Sequence, residues 1–239
     1  MIKIKLKDIT FYSGSNEEIY DKFLRSQILV APAASALADL EKKHEYYKAL
    51  RNSDIAILDS GFFCILLRIL KKIKVKKLSG YLFLNLFLNK VEKKSKILLI
   101  NPSEKSELLN EKLLKKNNFK NFSSYTAPIY KKKLEDSKLI KFINNYNPSY
   151  IIINLGGGVQ EILAQYIKLK IRKKINIICT GAAIAFMTGE QAPINRIVDK
   201  YYLGWLVRLL FDPKTYLKRT IVSFKIIKYF IRGEVKLAD

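Results

Sequence analysis

Three short stretches of this chain place reactive or ligand-holding residues just after an apolar run. In Leu58-Asp59-Ser60-Gly61 the run stops at a carboxylate. Such a group can take the proton of an attacking hydroxyl as a general base, or it can cap the apolar helix that begins near Phe62. In Leu155-Gly156-Gly157-Gly158-Val159-Gln160-Glu161 a triple glycine follows Ile151-Ile152-Ile153-Asn154. Backbone N–H groups at a glycine turn that opens a helix can hold a phosphate; a tight turn with no ligand is the other reading. Position 161 is glutamate where the dinucleotide fingerprint ends in glycine, which disfavours a nicotinamide site. In Cys179-Thr180-Gly181-Ala182-Ala183 small residues permit close backbone approach, to a ligand or to a neighbouring strand.

The elements that position these stretches follow from the hydrophobic pattern. Short apolar runs at 27–30, 54–58, 97–100, 119–123, 150–154 and 175–178 read as strands, each followed by a cap or turn and then by helical periodicity. Alternation of this kind predicts an α/β fold, a Rossmann-like parallel sheet covered by helices. Ligands of such sheets bind at the carboxyl ends of the strands. Asn101-Pro102-Ser103-Glu104 opens one helix with Ser103 as its N-cap, and Asn147-Pro148 closes another. Residues 1–6 alternate apolar and basic side chains, as an edge strand does.

The chain has 239 residues, enough for one main body, expected over 1–190, and a basic, aromatic helical appendage over 191–239. Lys and Arg number 44 against 21 Asp and Glu, a net charge of +23. An excess of this size points to an anionic partner, nucleic acid or anionic membrane, although a lysine bias beside many Ile, Asn and Tyr also fits coding composition. The two cysteines, Cys64 and Cys179, lie far apart inside apolar runs and read as buried thiols of a reducing compartment. No zinc spacing and no Asp-x-Asp occurs, and the single histidine, His44, sits in a charged helical stretch. The apolar runs at 62–70 and 81–88 are shorter than the roughly 20 residues a spanning helix needs. The N-terminus lacks the apolar core of a signal peptide, so the protein is expected to stay in the cytoplasm.

From Lys214 onward, Lys218, Arg219, Lys225, Lys228 and Arg232 interleave with Tyr216, Phe224, Tyr229 and Phe230. A basic helix with aromatic residues suits the interface of an anionic leaflet. The same segment can pack Ile221, Phe224, Ile227 and Ile231 onto its own domain, and the two readings are compatible.

From about residue 27 to 219 the order of these features resembles the WecG/TagA/CpsF family of bacterial glycosyltransferases. The matching elements are Ala31-Pro32-Ala33, Asp59-Ser60-Gly61, Lys77-Leu78-Ser79-Gly80-Tyr81-Leu82, Gly156 to Glu161 and Gly181 to Gly189, then Ala192-Pro193, Trp205, Arg208 and Pro213. The resemblance implies transfer of a sugar from a UDP-sugar to a polyprenyl-diphosphate-linked saccharide, with inversion and with no metal or other cofactor. It implies a role in cell-surface polysaccharide synthesis, peripheral on the inner face of the bacterial cell membrane, where the tail docks. Carried over position by position, Asp59 is the catalytic base. Gly156, Gly157, Gly158, Gln160, Glu161, Gly181 and Ala182 border the UDP-sugar, with Arg208 and Arg219 at its diphosphate. Ala31, Ala33, Lys77 and Gly80 fall at the acceptor or sugar pocket.

The chain departs from the family at that pocket. Ala31 and Ala33 stand where the family has Thr and Asn, Leu82 and Ala185 where it has Asp, and Gly204 where it has Glu. Loss of hydrogen-bonding groups changes which substrate is accepted. Either the donor differs from the family's N-acetylmannosamine type, or the chain is a catalytically silent relative that binds lipid-linked saccharide or scaffolds polysaccharide assembly. A basic nucleic-acid-binding protein is a lesser alternative, because no nucleic-acid motif accompanies the charge.

Overall fold

A computed structural model gives the structure, in which residues 1–130, 134–190, 210 and 213–238 are described. Its strands are β1 (Ile2–Leu6), β2 (Ile9–Ser13), β3 (Ile28–Val30), β4 (Ile55–Ile57), β5 (Ile97–Asn101), β6 (Phe122–Thr126), β7 (Tyr150–Ile153), β8 (Asn176–Cys179) and β9 (Val235–Ala238). They form one sheet in the order β6-β5-β7-β8-β3-β4-β2-β1-β9. From β6 to β2 every neighbouring pair is parallel; β1 joins β2, and β9 joins β1, in antiparallel register. This is the expected Rossmann-like α/β architecture.

The central strands are near-continuous runs of Ile, Leu and Val because both faces of the sheet are covered. Strand period divides them into two layers. Ile28, Val30, Ile151, Ile153 and Ile177 face α2 (Ala34–Leu37), α3 (His44–Arg51), α4 (Gly61–Leu70), α7 (Ser137–Tyr146) and α8 (Val159–Lys170). Leu29, Ile152 and Ile178 face α1 (Asn16–Arg25), α5 (Gly80–Lys90), α6 (Glu104–Lys116) and α9 (Ala183–Thr188). Cys64 and Cys179 are buried and unbonded to each other. Ser103 accepts from Ser106 N and caps α6, and Asn147 closes α7 in a left-handed conformation, as the sequence indicates.

Local chemistry explains three differences from the sequence reading. The strand expected at 119–123 is β6, three residues later, because Asn118 turns with positive φ and Phe119 is buried closing α6, its N–H bonded to Leu114 O. Strand β2 follows β1 through a short turn with Lys7 at positive φ, and the sequence reading did not separate it.

The third difference concerns the tail. Helix α10 (Pro213–Ser223) leads through a 3-10 turn (Phe224–Ile226) to α11 (Ile227–Ile231) and then β9. That turn shifts the helical phase, so Ile226, Tyr229 and Phe230 enter the core while Ile221, Phe224 and Ile231 stay exposed and Ile227 is partly buried. Of the four residues expected to pack inward, only Ile227 joins the core. Phe230 meets Phe63 edge-on at 5.8 Å, and Lys228 and Arg232 both bond Glu41, at 3.0 and 2.7 Å. The last part of the expected appendage is thus a strand and a packed helix of the main body. Among the described residues, no helix is long and apolar enough to cross a membrane.

Candidate active site

The parallel strands deliver their carboxyl ends to one cleft of about 720 Å³. The residues that follow β3, β4, β5, β7 and β8 all reach it: Ala31, Asp59, Pro102, Asn154 and Thr180. Its size is that of a small-molecule site.

At one side stands Asp59. Ser60, not Asp59, caps α4, accepting from Phe63 N at 3.2 Å, so the capping role weighed for Asp59 falls to its neighbour. Asp59 Oδ1 instead accepts from Gly80 N at 2.9 Å, at the first turn of α5. Ser79 caps that helix, accepting from Leu82 N. The first turn of α5 therefore holds the carboxylate in place through a backbone donor. Gly80 must be small: a Cβ there would lie 3.0 Å from Thr180 Cβ and 3.3 Å from Ala31 Cβ. Beneath the cleft, burial pushes the Cys64 thiol up to about 12, with the Lys77 charge opposing and the Asp59 charge adding. Both charges thus act at this wall.

At the other side is the glycine turn between β7 and α8. Gly158 has φ of 97°, and its N–H donates to Glu161 Oε2 at 2.7 Å. Gln160 Nε2 donates to Glu161 Oε1 at 2.9 Å, and Gln160 Oε1 accepts from Gly181 N at 2.9 Å. This chain of bonds ties the turn after β7 to the turn after β8. Burial raises the Glu161 carboxyl above its ordinary value, against the lowering effect of the bonds from Gln160 and Gly158. The space above the turn is open among the described residues, since a Cβ at Gly156 or Gly157 would meet none of their atoms within 4 Å.

The structure brings most of the residues singled out in the sequence to this cleft. Ala31, Ala33, Asp59, Lys77, Gly156, Gly157, Gln160, Glu161, Gly181, Ala182 and Arg219 line it. Gly158 and Gly80 lie one bond behind, through Glu161 and Asp59. Arg208, with Ala192, Pro193, Gly204 and Trp205, lies outside the described residues.

Several polar groups at the cleft were not singled out in the sequence. Asn101 Oδ1 accepts from Asn110 Nδ2 at 2.8 Å and from Asn154 Nδ2 at 3.1 Å, and Asn110 and Asn154 line the cleft. Tyr46 and Thr180 line it too, and their hydroxyls are buried with no hydrogen-bond partner among the described residues. Asn154 and Thr180 were findable as the first residues past apolar strands. Tyr46 and Asn110 sit on helices, where only a polar atom on a buried face marks them.

The class these features define is a Rossmann-like α/β protein with a ligand cleft at the carboxyl edge of its sheet. Residues 3–237 match the glycosyl transferase WecG/TagA/CpsF family, and the chain belongs to that family. It is a glycosyltransferase of cell-surface polysaccharide synthesis by that membership. No curated protein matches the chain.

Proposed function

We propose that the chain moves a sugar from a UDP-sugar to a polyprenyl-diphosphate-linked saccharide, inverting the anomeric centre and using no metal. The observation that carries this reading is the meeting of Asp59, Lys77, the open glycine turn and Arg219 around one cleft. The acceptor hydroxyl oxygen bonds to the anomeric carbon from the face opposite the leaving group. Its proton passes to the Asp59 carboxylate, and the bond to UDP breaks with the electron pair leaving on the diphosphate. Backbone N–H groups of the glycine turn, at the start of α8, and the arginines Arg219 and Arg208 offset the charge that develops there. Gln160, Glu161, Gly181 and Ala182 border the donor, and Ala31, Ala33, Lys77 and Gly80 the sugar or acceptor. We assign the work to the cytoplasmic face of the bacterial membrane, with the 191–223 part of the tail as the segment that approaches an anionic surface. Nucleic acid is not a partner in this reading.

A specific observation favours a second reading. Ala31 and Ala33, where the family has Thr and Asn, both line the cleft and offer it no side-chain hydrogen bond. A catalytically silent relative that binds the lipid-linked saccharide fits that loss. UDP release from a panel of UDP-sugars, with a polyprenyl-diphosphate monosaccharide in anionic vesicles, decides between them. Asp59→Asn keeps an oxygen to accept from Gly80 N but removes the base, so release is expected to fall by roughly two to four decades. Vesicle binding with no release from any donor supports the silent relative.

A further inference from the structure

Helix α4 buries Phe63, Cys64, Leu66 and Leu67 against the sheet. Apart from the exposed Arg68, its opposite face is also apolar: Ile65, Ile69 and Leu70 are 38%, 67% and 48% exposed. Single exposed apolar residues are ordinary, but here three occur within six positions of one helix. A helix with large apolar side chains on both faces is one that meets something apolar on both sides. The segment after it, Lys71-Lys72-Ile73-Lys74-Val75-Lys76-Lys77, is dominated by lysine. No Asp or Glu occurs between Asp59 and Glu92. Arg68, Lys71, Lys72 and Lys74 make no ion pair with another described residue. The tail differs: Lys228 and Arg232 are held by Glu41, and Lys225 lies 3.9 Å from Asp39.

We propose that the outer face of α4 and the lysine segment that follows it form a docking surface for an anionic lipid leaflet. Unpaired cations interleaved with exposed aliphatic side chains match a leaflet, whose headgroups are negative and whose interior is apolar. Nucleic acid takes the charge but has no use for Ile69 and Leu70. The surface adjoins the cleft, since Phe62 at the start of α4 and Lys77 at the end of the lysine segment both line it. It is continuous with α10, because the Phe62 ring meets Phe224 at 5.0 Å, next to exposed Leu217 and Ile221. Docking on this face brings the cleft mouth to the lipid surface, a placement that rests on the transferase reading for its lipid-linked acceptor.

The test is sedimentation of the full chain with phosphatidylcholine vesicles, with and without phosphatidylglycerol. Each lysine near an anionic leaflet is worth about fivefold in partitioning, so Lys71→Gln/Lys72→Gln/Lys74→Gln is expected to lose roughly 100-fold. Ile69→Ser/Leu70→Ser leaves the charge intact and is expected to lose at least about tenfold. Both variants alter exposed or half-exposed side chains, and unchanged thermal unfolding verifies that they fold. Wild-type partitioning by either variant, with loss confined to Lys214→Gln/Lys218→Gln, overturns the proposal in favour of the tail alone. Salt-sensitive binding to an RNA oligomer, lost in the lysine variant while vesicles are never bound, overturns it in favour of nucleic acid. The two readings fail separately. Turnover of a water-soluble, short-chain acceptor without vesicle binding sinks the docking surface and leaves the transferase. Vesicle binding through this face with no UDP release from any donor upholds the surface and sinks the transferase.

Discussion

Replacing Gly157 and Gly158 one at a time by alanine separates two reasons for being glycine. Gly158 has φ of 97° and ψ of −48°, a conformation that L side chains rarely adopt, and a Cβ there would meet no atom of the described residues within 4 Å. The whole penalty for Gly158→Ala is therefore backbone strain, about 1–3 kcal/mol. For a chain of this size about 3 °C accompanies each kcal/mol, so the melting temperature is expected to fall by roughly 3–9 °C. Gly157 has no positive φ and equally open space above it, yet it lines the cleft. Gly157→Ala is expected to leave stability within about 0.5 kcal/mol of the wild type. In the proposed reading its methyl group stands where the donor diphosphate approaches the backbone, and the KM for the donor is expected to rise by roughly tenfold or more, the effect of about 1.4 kcal/mol. The assays are calorimetry and donor-dependent UDP release on the same preparations. A Gly158→Ala protein that melts with the wild type refutes the strain reasoning. A Gly157→Ala protein with unchanged stability and unchanged donor kinetics refutes the cradle.

Two further outcomes follow from buried groups. Burial raises the Glu161 carboxyl above its ordinary value near 4.5, so the native chain holds that proton more tightly than the unfolded chain does. Stability contributed by this group is then full below the ordinary value and is lost as pH rises from there through the raised native value. Urea midpoints across that range should fall less steeply for Glu161→Gln than for the wild type, and parallel slopes would contradict the shift. The Thr180 hydroxyl is buried without a partner among the described residues, so Thr180→Val is expected to be neutral or stabilising in calorimetry. The same substitution should lower UDP release by at least about tenfold if a bound ligand supplies the missing hydrogen bond; unaltered kinetics would remove Thr180 from the site.

The parallel sheet was legible because its central strands are buried on both faces, which writes apolar runs such as Ile97 to Ile100 and Ile151 to Ile153 plainly into the sequence. The edges were harder. Strand β9 is Val-Lys-Leu-Ala with one buried side chain, and β6 is Phe-Ser-Ser-Tyr-Thr with none fully buried, so neither carries a strong pattern. Asp59 and the glycine turn were visible because strand ends are where such a sheet binds ligands. The partner of Asp59 was not visible, since Gly80 lies 21 positions away and meets it only through the packing of α5. The same holds for the bond from Gly181 to Gln160, which exists because β7 and β8 are neighbours. Basic residues of the tail looked alike in sequence, yet Glu41 takes two of them and leaves others to the surface.

The apolar residues at the family's polar positions bear on whether this cleft works. Val30 pairs with Cys179 in parallel register, so Ala31 and Thr180 stand side by side where β3 and β8 end. Both pack against Gly80, whose N–H fixes Asp59. Asp59, Gly80, Ala31 and Thr180 thus form one packed corner, and the hydroxyl that the resemblance leads one to expect at position 31 is missing from it. A different hydroxyl, that of Thr180, is present there with no hydrogen-bond partner among the described residues. Burying an unpaired hydroxyl costs roughly 1–3 kcal/mol, a cost that valine of nearly the same shape would avoid. A cleft that had merely lost its polar groups would have no use for that hydroxyl. Its presence one strand over from the lost threonine argues that hydrogen bonding at this corner has moved rather than vanished, which favours a transferase with altered sugar preference over a silent relative.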